Sequence, residues 1–320
     1  MGANPAPVAF FVYKRLDHAR RTLEALASNE LAAESDLFIF SDGARGEQDL
    51  EGVRAVRDYV RAAKGFKSVT IRESEKNQGL ARSIISGISE LCDLYGRAII
   101  VEDDVLVSCG FLRFMNDALE KYEDDDNILS VCGFWPLEPV PDDDRAFFLN
   151  CFSAWGWATW KRAWDLYDYD AAGWEELARN RRMARDFDLR GGFCYTSILL
   201  SQVRDGIDTW DIQWYWATYR LRKLCVYPPY SLTTNIGFDD SGEHTSSNDR
   251  WMTQYIDLGI DRRIEFSGEP LLDVARRRAL GDFHYFKSSR AAFTLRYLYR
   301  KIRRTLRRIS DRAAEKSLRG

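Results

Sequence analysis

The run GRAIIVEDDVLVS, residues 96–108, decides how this chain is to be read. Four apolar residues, Ala98 to Val101, make a short buried strand, and three carboxylates, Glu102, Asp103 and Asp104, follow without a break. Unbroken apolar runs of this kind suit parallel strands that are covered on both faces. Adjacent anions repel one another and sit badly at the end of a buried strand, so something cationic is expected beside them.

The same strand is the fourth of a regular series. VAFFVY (8–13), DLFIFS (36–41) and SVTIRE (68–73) read as strands, and amphipathic segments at 16–28, 48–63 and 78–96 read as the helices between them. In the second helix Leu50, Val53, Val56 and Val60 are expected on the buried face; in the third, Leu80, Ile84, Ile88, Leu91 and Tyr95, with Gly96 as the C-cap. Strands alternating with helices imply βαβ units and a mostly parallel sheet. Ligands of such sheets bind outside the carboxyl ends of the strands. Three polar clusters fall there: Lys14-Arg15, Ser41-Asp42-Gly43 and Glu102-Asp103-Asp104.

Beyond residue 109 the pattern loosens. A helix is expected at 110–122, a strand at 128–134, a loop at 138–146, and a helix at 211–224 with Asp211 near its N-cap. Residues 147–216 are dense in tryptophan, and 226–247 read as a strand running into a Gly/Ser/Asp loop. The expected organisation is one large α/β domain, Rossmann-like, in two halves (1–108 and 109–284), followed by a basic amphipathic C-terminal helix (285–320).

Composition bounds the functions. At 45% apolar and 13% aromatic, the 320 residues suffice for a sizeable core. A net charge of −3 argues against nucleic-acid binding by the whole molecule. Residues 285–320 carry twelve Lys or Arg against two acidic residues. Such a face suits an anionic membrane surface, or a solvated helix packed on its own domain. Six scattered cysteines without a CxxC pair suggest reduced thiols rather than a disulfide framework or a zinc site. No run approaches the ~18 apolar residues of a membrane span, and the N-terminus lacks the pattern of a signal peptide. A cytoplasmic protein, peripheral on the inner face of the membrane, is the expectation.

Hard divalent cations prefer oxygen ligands, and Mg²⁺ or Mn²⁺ commonly takes one or two carboxylates plus substrate phosphates. An acidic run at a strand end suits that open kind of site; a solvated acidic turn is the plain alternative. If the strand continued, Glu102 and Asp104 would face one way and Asp103 the other. Asp104, furthest out, is the expected metal ligand, and Glu102 and Asp103 are expected to meet the ribose or the donor group.

The order PVAFFVYKR, SDG, NQGLARS, VEDDV, FSAWGWATW, TWDIQWYWA, YPPYSLTTNIGFDDSGEHT resembles that of the GT-A glycosyltransferases over residues 7 to about 250. The likeness is to bacterial sugar transferases related to the N-acetylglucosaminyltransferase I group, where Glu-Asp-Asp replaces Asp-X-Asp. The resemblance implies that Arg15 contacts the diphosphate, Asp42 the base, and Asn77, Gly79 and Arg82 the nucleotide cleft. It implies Asp104 as metal ligand with His244 near the metal or diphosphate, and Trp155 and Trp157 as an acceptor wall. Trp210 would pack on the sugar and Asp211 would be the catalytic base. The family's segment has a second Asp where this chain has Ile212.

The implied reaction is inverting transfer of a sugar from a nucleotide diphosphate, a UDP-sugar by expectation, to a saccharide or lipid-linked saccharide in bacterial polysaccharide assembly. A positioned Asp takes the hydroxyl proton, and Mn²⁺ or Mg²⁺ stabilises the leaving diphosphate. Plainer readings stand beside each assignment. Asp211 can be a helix cap with Asp205 or Asp208 as the base, the tryptophans can be core, Asp42 a turn residue, and Arg15 a surface charge. Two other functions compete. A sugar-nucleotide nucleotidyltransferase would need a Gly-rich loop where VYKRLDHARR has no Gly, and a non-catalytic carbohydrate-binding protein would bind without turnover. A P-loop kinase is disfavoured by the lack of GxxxxGK[ST].

Overall fold

Strand β1 (Val8–Val12) is buried at every position, and that explains its unbroken apolar sequence. In the computed structural model, which describes residues 4–139, 143–239, 256–260, 262–266 and 268–287, it sits inside an eight-stranded sheet. The elements that follow in order are α1 (Leu16–Ala27), β2 (Asp36–Ser41), α2 (Glu47–Val60), β3 (Ser68–Glu73), α3 (Leu80–Tyr95) and β4 (Arg97–Glu102). Next come β5 (Val105–Val107), α4 (Phe111–Lys121), β6 (Ile128–Cys132), β7 (Phe147–Leu149), β8 (Trp157–Trp160) and α5 (Lys161–Trp164). The chain continues through α6 (Trp174–Arg179), α7 (Arg181–Phe187), α8 (Tyr195–Asp205), α9 (Asp211–Arg220), β9 (Leu224–Tyr227), β10 (Thr233–Asn235) and α10 (Val274–Lys287).

The sheet order is β3-β2-β1-β4-β8-β6-β9-β7. β1 pairs in parallel with both β2 and β4, and β2 with β3. β8 runs antiparallel to β4 and β6, β9 is parallel to β6, and β7 is antiparallel to β9. The domain is therefore α/β with a mixed, mostly parallel sheet flanked by helices, as the alternation predicts. Because β2, β1 and β4 are parallel neighbours, the residues after them emerge along one edge. The outermost strand, β3, has no fully buried residue, which suits its polar sequence.

Two helix faces differ from expectation. In α2 the buried residues are Asp49, Val53, Val56 and Val60, whereas Leu50 is exposed. Asp49 turns inward because it accepts hydrogen bonds from Tyr13 Oη (2.8 Å) and Lys14 Nζ (2.6 Å). In α3 the buried stripe is Ala81, Ile84, Gly87, Ile88, Leu91 and Cys92, while Leu80 and Tyr95 flank it in more exposed positions. Gly87 lets α3 lie close on the sheet: a Cβ there would sit 2.8 Å from the Phe11 ring and 3.1 Å from that of Phe40. Gly96, at φ +75°, caps the helix in the left-handed region as its sequence suggests.

A second, two-stranded sheet joins β5 to β10 antiparallel, with Asn235 opposite Val105. α10 packs on a short 3₁₀ turn at Leu189–Gly191 and on β7. Residues 288–320, most of the expected basic helix, lie outside the described residues. No helix among the described residues is long and apolar enough to cross a membrane. All six cysteines are free thiols, four of them buried.

Candidate active site

The cation that relieves the acidic run is Arg15. Strand β4 stops at Glu102, and Asp103 and Asp104 form a turn before β5, so the alternation of faces does not carry on through them. Both aspartates instead reach one guanidinium, delivered from the end of β1. Arg15 pairs with Asp103, and its Nη2 donates to Asp104 Oδ2 at 2.9 Å. Burial alone would depress the Arg15 guanidinium, but the attraction of Asp103 and then Asp104 raises it above its ordinary value. The turn is also fixed through its backbone. Thr22 Oγ1 donates to the Asp103 carbonyl (2.8 Å), and the Ile236 amide to the Asp104 carbonyl (2.8 Å).

The β5–β10 pairing brings a second segment to the turn. Asn235 Nδ2 donates to Asp104 Oδ1 at 3.3 Å. Gly237 lies directly over Asp104: a Cβ there would collide with Oδ2 and come within 3.2 Å of Arg15 Nη1. His18 Nε2 is 3.3 Å from the Ile236 carbonyl oxygen and 3.2 Å from Asp239 Oδ2. His244 falls in the stretch that follows, outside the described residues.

Glu102 is the carboxylate without such support. It is partly buried, and no hydrogen bond from a described residue reaches its side chain. Burial first, and then the charges of Asp104, Asp211 and Asp103, push its carboxyl well above the usual range. Asp211 thus stands close enough to the acidic turn for its charge to be felt there. It begins α9, with Thr209 Oγ1 donating to its Oδ1 at 2.5 Å and the Ile212 amide to the same oxygen at 2.8 Å. Gln213 Nε2 in turn holds the Thr209 carbonyl at 2.7 Å. With Oδ1 pinned, Oδ2 has no hydrogen bond from a described residue.

The start of α9 is anchored by an aromatic block. Trp210 stacks on Trp157 with ring centroids 5.4 Å apart, Trp214 meets Trp164 edge-on at 5.3 Å, and Trp214 Nε1 donates to Ser130 Oγ at 2.8 Å. Trp157 and Trp210 are both buried; Trp155 is only partly so, between Phe134 and Phe238. The tryptophans therefore divide: Trp157 and Trp210 belong to the core, and Trp155 is partly exposed.

Asp42, Asn77 and Gly79 come together, but the Asp42 carboxylate is already engaged. It accepts from the amides of Gly43 (2.8 Å), Gln78 (2.9 Å) and Gly79 (3.1 Å), and from Asn77 Nδ2 (3.0 Å). In this structure Asp42 shapes the loop that leads into α3. Gly79 favours glycine because its φ is +87°, in the left-handed region. Arg82 is exposed on the first turn of α3. Sequence reading gave no role to Asn235, Gly237 or Thr209. The only local signals for them are the string TTNIG and the Thr two residues before Asp211.

The donor set suits an open cation site in charge and type. Asp103 and Asp104 share one guanidinium, Glu102 and Asp211 add negative charge nearby, and the cradle beneath Gly237 is one that a Cβ would fill. Among the described residues, no group of three or more His, Cys, Asp or Glu is arranged to hold a metal ion.

No family model matches the chain, and no curated protein matches it. Among solved structures it is similar to the mannosyltransferase PcManGT from Pyrobaculum calidifontis in complex with GDP-Man and Mn²⁺ (14% identity, TM-score 0.34, 49% of this chain and 45% of that one). It is also similar to GalNAc-T7 with UDP, GalNAc and Mn²⁺ (12%, 0.44, 71% and 43%) and to TarS of S. aureus (12%, 0.35, 51% and 29%). The chain spans less than half the length of each of these proteins.

Proposed function

We propose that the chain is an inverting, metal-dependent glycosyltransferase that moves a sugar from a nucleotide diphosphate, a UDP-sugar in our reading, to a saccharide or lipid-linked saccharide. The observation that carries this is Asp211. One of its oxygens is pinned, the other has no hydrogen bond from a described residue, and it stands near the acidic turn at the edge where parallel strands present ligands.

In this reading Asp211 Oδ2 takes the proton of the acceptor hydroxyl as that oxygen attacks the sugar's anomeric carbon. Thr209 and the Ile212 amide hold the carboxylate in place. Asp104, with Glu102 beside it and His244 from the neighbouring segment, would hold Mn²⁺ or Mg²⁺; when bound, the cation neutralises charge on the departing diphosphate. Arg15 and Arg82 supply cationic partners for phosphate, and Asn77 and Gly79 line the nucleotide cleft. Asp42 serves that cleft by shaping its loop, and Asp103 by holding Arg15. Trp155 offers a ring face to the acceptor, while Trp157 and Trp210 stiffen the wall behind it. One base with no covalent nucleophile inverts the anomeric centre.

The test is thermal unfolding with UDP, GDP, CDP and dTDP, each with and without Mn²⁺, followed by donor consumption with the matching nucleotide sugar. Stabilisation by one nucleotide that depends on Mn²⁺ and is lost in Asp104→Ala supports the reading. A protein that responds to none of the four overturns it.

A further inference from the structure

We infer that Arg15 competes with the divalent cation for Asp104, so that metal and nucleotide diphosphate bind by exchanging partners and each needs the other. This rests on the nucleotide-sugar reading above but does not follow from it. A nucleotide site needs only a cation near the phosphates; here that cation is already placed on the metal ligand.

Both oxygens of Asp104 are taken. Arg15 Nη2 holds Oδ2 at 2.9 Å, and Asn235 Nδ2 holds Oδ1 at 3.3 Å. The Asp104 side chain is 12% exposed and that of Arg15 18%, so water can replace little of what either would lose. A metal ion arriving alone must displace the guanidinium from Asp104, and the guanidinium then lacks a second anion in a poorly hydrated place. It would keep Asp103 but lie beside a divalent cation, and like charges in a poorly hydrated place repel strongly. A diphosphate arriving alone meets an Arg15 already held by two carboxylates. When both arrive, the guanidinium keeps Asp103 and turns its other edge to phosphate, the metal takes Asp104, and every charge keeps a partner. Lys14 is no substitute, since its Nζ is held by Asp49 at 2.6 Å. Gly237 lies over Arg15 without a Cβ, and any Cβ there would crowd Nη1 and Asp104 alike.

Binding coupling of this kind is reciprocal and commonly amounts to ~5–150-fold. Metal displacement of Arg15 predicts where that factor goes when the arginine is removed. The experiment titrates Mn²⁺ into the full chain, following free Mn²⁺ by electron paramagnetic resonance, first alone and then with the saturating nucleoside diphosphate chosen by the thermal panel. Wild type, Arg15→Gln and Arg15→Lys are compared, with circular dichroism to confirm that each is folded.

In wild type, Mn²⁺ is expected to bind weakly alone and at least about tenfold more tightly with nucleotide. Arg15→Gln should bind Mn²⁺ alone about tenfold more tightly than wild type, and its coupling factor should shrink by the same ratio. Arg15→Lys keeps the charge but cannot fork across two carboxylates, so it should fall between them; it also carries the test should the glutamine variant not fold. Folded variants that bind Mn²⁺ alone no more tightly than wild type overturn the exchange. If wild-type coupling is present and unchanged in both variants, the exchange falls and the transferase reading stands. If Mn²⁺ binding by wild type ignores every nucleotide, both fall.

Discussion

Replacing Asp42 separates a ligand-binding residue from one that builds the site. The resemblance places Asp42 on the nucleotide base, but its carboxylate accepts from the amides of Gly43, Gln78 and Gly79 and from the Asn77 side chain. The residue is 7% exposed, so water cannot readily replace those bonds. A hydrogen bond to a charged group contributes about 1.5–3 kcal/mol net, and a buried donor left unpaired costs about 1–3 kcal/mol. Four donors would give more than 6 kcal/mol if summed, but neighbouring terms are not additive and the loop can relax. Asp42→Ala should therefore lower stability by about 3–5 kcal/mol. Asp42→Asn should lose about 2–4 kcal/mol, because its amide nitrogen would face amide donors. The assay is urea unfolding without nucleotide, monitored by tryptophan fluorescence, beside nucleotide affinity for the folded fraction. An Asp42→Asn variant within about 0.5 kcal/mol of wild type, yet weakened in nucleotide binding, would refute this reasoning and restore the direct role.

Asp211→Asn should cut kcat by about 10²–10⁴-fold while leaving nucleotide affinity unchanged. Thr209→Val should lower kcat less, with Thr209→Ser restoring it; equal rates in all three would place the base elsewhere. Burial depresses His284, packed between the Phe193 and Phe283 rings, to about 4. The unfolded chain, titrating near 6.5, binds the extra proton between those values, so stability is full above about pH 6.5 and falls toward pH 4 by up to roughly 3 kcal/mol. His284→Gln should flatten urea midpoints measured from pH 4.5 to 7; identical slopes in both proteins would contradict this. A Cβ on Gly192 would strike the Gly281 carbonyl oxygen, so Gly192→Ala should loosen α10 and cost about 1–3 kcal/mol. Thermal unfolding and hydrogen exchange across residues 274–287 would show it.

Reading the sequence located the regular elements of the first half because each rests on neighbours in the chain. β2 and β3 keep their expected bounds, and α1, α2, α3 and β4 differ by a few residues at most. The tryptophan-rich second half was less legible. Its helices α5, α6 and α7 and its strands β7 and β8 run three to seven residues, too short for a hydrophobic period to register. Helix phase failed at Asp49, where a charged residue turns inward to meet partners 35 and 36 residues away. Among the site residues, the acidic run, Arg15 and Asp211 stood out by type and by place at element ends. Nothing local tells that Arg15 spans Asp103 and Asp104, or that Asp42 is spent on its own loop.

The sequence alone determined that strands alternate with helices and that an acidic turn closes the fourth strand, because backbone preference and hydrophobic period act over a few residues. Only the tertiary structure decided what meets that turn. Arg15 arrives because β1 lies beside β4, Asn235, 131 residues from Asp104, because β10 pairs with β5, and Asp211 because stacked tryptophans hold the start of α9. Those meetings depend on strand order and packing, which no short window of sequence contains.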